Sequence, residues 1–183
     1  DLKKNKALVD GLSAETMTKG ARLIAAAEPK NPVSEQFRTL RTNIDFASVA
    51  KGNVKTLLVS SALPSEGKST ITANLAVVYA QQGKRVLLVD ADLRRPTVAI
   101  TFDVTDNHGL TNYLADVHSE LGSIIHHTRM DTLDVITSGP VPPNPAELLA
   151  SARMTTLITQ LRDQYDLVIF DVPPFLMVTD AQV

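Results

Sequence analysis

The stretch SSALPSEGKST, residues 60–70, decides how this chain folds. It approaches the pattern GxxxxGK[ST], in which a tight loop between a strand and a helix directs successive backbone N–H groups at a phosphate. Gly67, Lys68 and Ser69 match that pattern, whereas Ala62 stands at its first glycine. Gly67 is then the residue of the loop that adopts positive φ at little cost. An ordinary polar turn is the competing interpretation.

The sequence on both sides of the loop favours the phosphate-binding interpretation. Residues 54–60, VKTLLVS, form a short β-rich run that predicts a strand. After Ser69, apolar residues recur on one helical face until Gly83, a natural helix stop. A loop that follows a strand and opens a helix is the context that the pattern requires. We therefore predict that nucleotide phosphates bind to Pro64, Ser65, Glu66, Gly67, Lys68, Ser69 and Thr70.

Short apolar strands and amphipathic helices alternate along the rest of the chain. Strands are predicted at residues 85–90 (RVLLVD), 133–137 (LDVIT) and 167–171 (LVIFD). Helices are predicted at residues 109–115, from Pro145 through Leu149, and around Met154, Leu157, Ile158 and Leu161. Wholly apolar strands of this kind are typical of a parallel sheet covered on both faces. The predicted fold class is α/β.

The first fifty residues predict a linker followed by a helix. Val33, Phe37, Leu40, Ile44 and Ala47 recur at helical spacing, with Asn31 as N-cap and Pro32 at the first helical position. Residues 1–31 lack sustained periodicity, so we expect a linker with one short helix there. The domain would then span residues 32–183.

Composition excludes several classes of protein. The 183 residues carry 18 Lys and Arg against 20 Asp and Glu, a net charge of −2, so the basic footprint of a nucleic-acid binder is absent. The chain has no cysteine, which rules out disulfides and thiol chemistry. No apolar run in the sequence approaches the roughly 20 residues that span a bilayer, and DLKKNK is not a signal sequence. We expect a soluble chain.

Three aspartates follow predicted strands. Asp90 ends the strand in VLLVDADLRRP (residues 86–96), Asp92 follows two residues later, and Asp171 ends the strand in LVIFDVPP (residues 167–174). In extended backbone Asp90 and Asp92 point to the same side. Ligands of open α/β sheets bind outside the carboxyl ends of the strands, so all three carboxylates are predicted to converge on Lys68. For each aspartate alone, a solvated strand end or a helix cap is the simpler interpretation.

Together, SSALPSEGKST, VLLVDADLRRP and LVIFDVPP resemble the Walker A, A′ and B motifs of the bacterial tyrosine autokinases of capsular and exopolysaccharide synthesis. The resemblance also covers SGPVPPNPAELL (residues 138–149) and SEQFRTLRTNI (residues 34–44), hence about residue 31 to the end. It implies a P-loop NTPase-like fold, ATP and Mg²⁺ as cofactors, and protein tyrosines as substrates. The resemblance also implies a transmembrane activator of polysaccharide export, fused or separate, that recruits a cytoplasmic domain to the membrane.

The resemblance assigns a role to each matching residue. Lys68 would hold the β and γ phosphates, and Ser69, Asp90 and Asp171 would form the Mg²⁺ site. Asp90 would also accept the tyrosine proton. Asp92 and Arg94 would support metal and phosphate.

A further motif implies self-assembly. Glu35, Arg38 and Arg41 match the family pattern ExxRxxR, which is associated there with ring-like oligomers, and at 100° per residue they lie roughly opposite the predicted apolar face. A solvated charged face with an internal ion pair is the simpler alternative.

The sequence also departs from the family. Its only tyrosines are Tyr79, Tyr113 and Tyr165, isolated along the chain, so the tyrosine cluster expected of the family is absent from this sequence. Because the sequence stops soon after its fourth clear strand, we also expect the domain to be truncated and to lack further strands. Two alternatives remain. One is a partition-type switch ATPase, although Leu63 stands where those proteins carry a signature lysine. The other is a non-catalytic assembly module.

Overall fold

A five-stranded sheet forms the centre of the computed structural model, which describes residues 19–49, 52, 54–63 and 66–174. Its strands are β1 (Thr56–Val59), β2 (Val86–Asp90), β3 (His126–His127), β4 (Leu133–Ile136) and β5 (Leu167–Asp171). They lie in the order β1-β5-β2-β4-β3, and all pair in parallel except β3, which runs antiparallel to β4. The predicted parallel sheet is confirmed, with one short antiparallel edge strand that the sequence did not predict.

Seven α-helices surround the sheet in the described part of the chain: α1 (Ile24–Ala27), α2 (Pro32–Val49), α3 (Lys68–Ala80), α4 (Val98–Thr101), α5 (Leu110–Ala115), α6 (Pro145–Leu149) and α7 (Ala152–Gln164). A 3-10 turn occupies Leu121–Ser123. The predicted start of α2 is confirmed, because Asn31 Oδ1 accepts a hydrogen bond from the Val33 N–H at 2.9 Å. Within the described residues no helix combines the length and apolarity needed to cross a membrane.

Hydrophobic clusters on both faces of the sheet explain why its central strands are wholly apolar. Along β2, Val86 and Leu88 join the cluster beneath α1, α2 and α3, while Leu87 and Val89 join the cluster beneath α5 and α7. Because side chains alternate between the faces of a strand, every position of β2 is buried. The carboxyl ends of β1, β2, β4 and β5 meet at one edge of this layered core.

The predicted buried face of α2 is partly wrong. Val33 and Leu40, expected inside, are 38% and 36% exposed, whereas Ser34 is fully buried beside Phe37. The hydroxyl of Ser34 donates to the carbonyls of Ile24 and Glu28, so a polar residue fits this face because the preceding segment supplies its acceptors. Periodicity alone could not detect that partner.

The expectation that residues 1–31 form a linker does not hold for residues 20–31. The one short helix expected there is present as α1, but Ala21 and Ala25 are buried in the hydrophobic core and the segment contacts α2 and α3. The packed structure therefore begins before residue 32. Residues 1–18 lie outside the described part.

Gly109 offers a direct test of the packing between α5 and the end of β4. A Cβ added to Gly109 would lie 2.3 Å from the Thr137 carbonyl oxygen and 2.4 Å from the Gly139 nitrogen, both backbone atoms. We expect Gly109→Ala to lower the free energy of unfolding by about 2 kcal/mol or more, measured by urea denaturation. Gly122→Ala is the matched control, since nothing lies within 4 Å of its added Cβ. Equal stabilities of the two variants would contradict the close approach.

Candidate active site

The predicted phosphate loop joins β1 to α3 at the carboxyl edge of the sheet. Gly67, the N-cap of α3, has φ +83°, the left-handed conformation that glycine adopts at little cost. An added Cβ at Gly67 would meet nothing within 4 Å, so its backbone is open to a ligand. Pro64 and Ser65 lie outside the described residues.

The side chain of Glu66 connects the end of the phosphate loop to its start. Its Oε2 accepts hydrogen bonds from the N–H groups of Ala62 and Leu63, at 3.0 and 3.1 Å. These two amides belong to the segment in which alanine replaces the first glycine of the pattern. A carboxylate that bonds two successive amides holds the start of the loop near the start of α3. The sequence placed Glu66 in the loop without indicating this contact.

The ammonium group of Lys68 lies between two carboxylates. Its Nζ is bonded to Asp171 Oδ1 and lies 3.1 Å from Asp92 Oδ2. Ser69 Oγ donates to the other carboxylate oxygen of Asp171 at 3.1 Å. All four residues are buried or partly buried, so their charges interact under weak solvent screening. The predicted meeting of loop and strand ends is confirmed for these four residues.

Asp90 takes a different orientation from the one predicted. It lies beside Asp171 in the register of β2 and β5, but its Oδ2 accepts from the N–H groups of Thr97 and Val98, at 2.9 and 3.0 Å. Strand β2 ends at Asp90, so the extended backbone behind the same-side prediction stops before Asp92. The two carboxylates of the DxD motif therefore go to different partners, and Lys68 contacts only the second of them.

Burial shifts the proton affinity of both strand-end aspartates. Desolvation raises the pKa of Asp90 to about 7, helped by the negative charge of Asp171 and opposed by the two amides of α4. Desolvation also raises the pKa of Asp171, and the adjacent Lys68 ammonium opposes that rise. A carboxyl group that titrates near neutral pH can exchange a proton under ordinary conditions.

The remaining predicted site residues lie around this cluster. Thr70 is in the first turn of α3 and its carbonyl accepts from Asn74 Nδ2 at 2.9 Å, whereas Arg94 is exposed on the loop after β2. Sequence reasoning missed the Thr97 and Val98 amides, because backbone donors leave no signature in residue types. The proline of the DLRRP segment could have indicated a turn into a new helix.

The described residues fit a nucleotide better than a metal bound by protein alone. No group of three or more His, Cys, Asp or Glu side chains in the described ranges is arranged to hold a metal ion. Mg²⁺ in nucleotide sites takes few protein ligands and relies on phosphate and water oxygens. One hydroxyl and one carboxylate, those of Ser69 and Asp171, already lie in hydrogen-bond contact at the start of α3. This donor set suits a magnesium ion that arrives with a polyphosphate.

The three residues of the predicted self-assembly motif make contacts within the chain. Arg38 forms an ion pair with Glu35 at 2.7 Å, the internal pair expected under the simpler alternative. Arg41 Nη1 donates to the Val78 carbonyl at 2.8 Å and so faces α3, which differs from the predicted position opposite the buried face. Of the three side chains, Glu35 is the most exposed, at 69%.

The pKa of Asp90 predicts how stability depends on pH. The unfolded carboxyl loses its proton near 3.8 and the folded one near 7, so Asp90 lowers the stability as pH rises between these values. We expect Asp90→Asn to gain stability relative to the parent as pH rises from about 5 to about 8, by an amount on the order of a few kcal/mol. Urea unfolding in the presence of a metal chelator measures this difference in stability, and Asp131→Asn, at an exposed position, is the control. A difference that does not vary with pH would contradict the shift.

Comparison with known proteins agrees with the geometry. The AAA_31 family model, described as an AAA domain, matches residues 54–182. The tyrosine-protein kinase YwqD of Bacillus subtilis (strain 168) is 53% identical over 161 residues, which are 88% of this chain and 67% of that protein.

Solved structures extend the comparison to the fold. The chimerical protein CapA2B2 superposes with a TM-score of 0.81 at 41% identity, over 92% of this chain and 78% of the other. The kinase domain of the Escherichia coli tyrosine kinase ETK gives a TM-score of 0.82 at 42% identity, over 89% of this chain and 63% of that one. The Pyrococcus furiosus cell division ATPase MinD is more distant, with a TM-score of 0.56 at 27% identity over 64% and 49% of the two chains. With its P-loop NTPase-like sheet and these relatives, the chain belongs to the bacterial tyrosine-protein kinase family.

Proposed function

We propose that this chain is the catalytic domain of an MgATP-dependent protein-tyrosine kinase. The observation that carries the proposal is the position of the Lys68 ammonium in the first turn of α3, between Asp92 in the loop after β2 and Asp171 at the end of β5. Phosphoryl transfer needs a cation at the phosphates, a metal held by a hydroxyl and a carboxylate, and a second carboxylate near the nucleophile. Lys68, Ser69, Asp171 and Asp90 supply those groups at one edge of the sheet.

Binding of the nucleotide depends on the loop and on exchange of partners by Lys68. The backbone amides from Glu66 to Thr70 and the start of α3 form a site of positive potential for the phosphates. The Lys68 ammonium would exchange its carboxylates for the β and γ phosphates, and Ser69 Oγ and Asp171 are the residues that would hold Mg²⁺. Mg²⁺, when bound, neutralises phosphate charge. Arg94, exposed at the rim, adds a cation on the open side of the site.

In the transfer step, the tyrosine oxygen forms a bond to the γ phosphorus as the bond to the β–γ bridging oxygen breaks. The phenolic proton passes to a carboxylate, and ADP leaves with the bridging oxygen. We assign the carboxylate role to Asp90, because its pKa of about 7 suits a group that takes up a proton and releases it again. Asp90 is fully buried, and the Thr97 and Val98 amides hold its Oδ2 in place. Asp92 is the next carboxylate along the chain.

The acceptor tyrosine comes from outside these 183 residues. Tyr79 and Tyr113 are 2% and 4% exposed, with their hydroxyl groups on Asp45 and Gln160, and Tyr165 is partly buried with its hydroxyl on Asp134. These are the chain's three tyrosines. Phosphorylation in trans, by a neighbouring kinase subunit or on a separate protein, is the mode that this arrangement supports.

The cellular role follows the family. We assign the chain to control of capsular or exopolysaccharide synthesis and export, with a transmembrane activator that recruits it to the inner face of the cell membrane. The chimerical protein CapA2B2, among the similar structures, supports a two-component arrangement. Self-association through Glu35, Arg38 and Arg41 belongs to the same proposal, and the exposed Val33 and Leu40 on α2 offer it apolar area.

Single substitutions separate the kinase from its alternatives. We expect Lys68→Met and Asp90→Asn each to lower phosphorylation of a tyrosine-rich acceptor at least about 100-fold. Asp90→Asn should retain Mg-ADP binding by calorimetry, because Asp90 does not contact Lys68. If Asp92→Asn abolishes transfer and Asp90→Asn does not, Asp92 is the proton acceptor. ATP hydrolysis without phosphotyrosine indicates a switch ATPase, and absence of any ATP-dependent thermal shift indicates an assembly module.

The buried tyrosines give an independent prediction. With MgATP and activator but no acceptor, the folded chain should accumulate far less than one phosphate per molecule, because each hydroxyl is bonded inside the fold. Conversion of Tyr113 to Phe should leave phosphorylation of an external acceptor within about twofold of the parent. Mass spectrometry of tryptic peptides measures both quantities. Stoichiometric phosphate on Tyr79 or Tyr113 would contradict the assignment of an external acceptor.

A further inference from the structure

Residues 20–28, GARLIAAAE, form a strap that contacts α3 at Asn74 and the end of α4 at Thr101. The strap comprises the residues before α1, α1 itself and Glu28. Ala21 and Ala25 anchor it in the hydrophobic core. Besides α2, it touches the two helices that hold the candidate active site: α3 begins with Lys68 and Ser69, and the amides before and at the start of α4 bond Asp90.

A chain of hydrogen bonds runs from the strap to Asp90. The Ala21 N–H donates to Thr101 Oγ1 at 2.8 Å, and the Thr101 hydroxyl donates to the Thr97 carbonyl at 2.7 Å. The Thr97 N–H then donates to Asp90 Oδ2 at 2.9 Å. Gly20, at φ +78°, brings the strap backbone against α4, where an added Cβ would lie 2.7 Å from the Thr101 nitrogen. The close approach and the positive φ both require glycine.

A second connection runs from the strap to the phosphate loop through Asn74, a fully buried residue of α3. Its Oδ1 accepts from the Ala25 N–H at 2.9 Å. Its Nδ2 donates to the carbonyls of Arg22 and Thr70, at 2.8 and 2.9 Å. Thr70 lies two residues beyond Lys68, in the first turn of the same helix. One amide thus joins two points of the strap to the turn that carries the lysine.

We infer that the strap is a positioning element of the phosphotransfer site, with Thr101 and Asn74 as its two fastening residues. Thr101 holds the turn that orients Asp90, and Asn74 holds the turn that presents Lys68 and Ser69. The kinetic effects expected from this inference rest on the proposed function, whereas the structural effects do not. If the strap served only to bury apolar surface, Ala21 and Ala25 would be sufficient. The hydrogen bonds that it also makes with Thr101 and Asn74 connect it to the two parts of the site.

Paired substitutions test the two connections separately. Thr101→Val keeps the side-chain shape and removes the hydroxyl; Thr132→Val is its control, since Thr132 Oγ1 bonds the Ala80 carbonyl near the opposite end of β4. Asn74→Ala removes the second connection. Its control, Asn112→Ala, removes an amide of the same type on the other face of the sheet, where Asn112 Oδ1 accepts from the Gly109 N–H at 2.9 Å and makes no contact with the strap.

Each fastening residue should affect a different property. In Thr101→Val, amide hydrogen exchange at Thr97 and Val98 should become about tenfold faster and kcat should fall about tenfold, with KM for ATP within about twofold. In Asn74→Ala, the Kd for Mg-ADP should rise about tenfold. Both controls should lower thermal stability without either effect.

The outcomes distinguish this inference from the proposed function. Equal exchange rates at Thr97 and Val98 in Thr101→Val and Thr132→Val would overturn the inference, as would an Asn74→Ala protein that binds Mg-ADP like the parent. If Asn74→Ala fails to fold, the Thr101→Val comparison decides alone. If the parent chain transfers no phosphate, the proposed function fails, yet the exchange measurement still decides whether the strap holds the turn that orients Asp90.

Discussion

The buried ammonium of Lys68 is the constraint on which the rest of the site depends. A buried cation is stable only with charged partners and hydrogen bonds around it, and here Asp92 and Asp171 supply both. Removal of the cation would leave two carboxylates uncompensated, which is more costly than the pair itself is stabilising. The cluster also contains more carboxylates than cations when Asp90 is included. This excess of negative charge favours binding of a metal cation or uptake of a proton by one of the carboxylates.

The order of the strands explains why these groups meet. Strands β2 and β5 are adjacent in space although about 80 residues separate them in the chain, and their register sets Asp90 opposite Asp171. The loop from β1 reaches the same edge because β1 is the other neighbour of β5. Each of these elements therefore contributes one or two charged or polar side chains to the site. No single element supplies both the cation and the carboxylates that surround it.

Side-chain contacts with backbone complete the site. Glu66 bonds two amides in the stretch where alanine replaces glycine, so the loop keeps a defined start without the freedom that glycine provides. Asp90 is oriented by the amides of the N-cap and the first residue of the short helix α4. These contacts share one property: a side-chain carboxylate accepts hydrogen bonds from two successive backbone N–H groups. They make the site rigid where a phosphate and a nucleophile must be aligned.

The sequence by itself determined the fold class, the strands β1, β2, β4 and β5, the loop before α3 and the meeting of Lys68, Ser69, Asp92 and Asp171. Each of these follows from residue type and spacing, because apolar runs, a glycine at a loop end and acids at strand ends have a local physical meaning. Only the tertiary structure decided the rest. The buried face of α2 includes Ser34, the strap joins the core, and Asp90 faces α4, because each of these contacts pairs a side chain with a backbone group of another segment. Backbone groups are the same in every residue, so their positions are known only once the chain is folded.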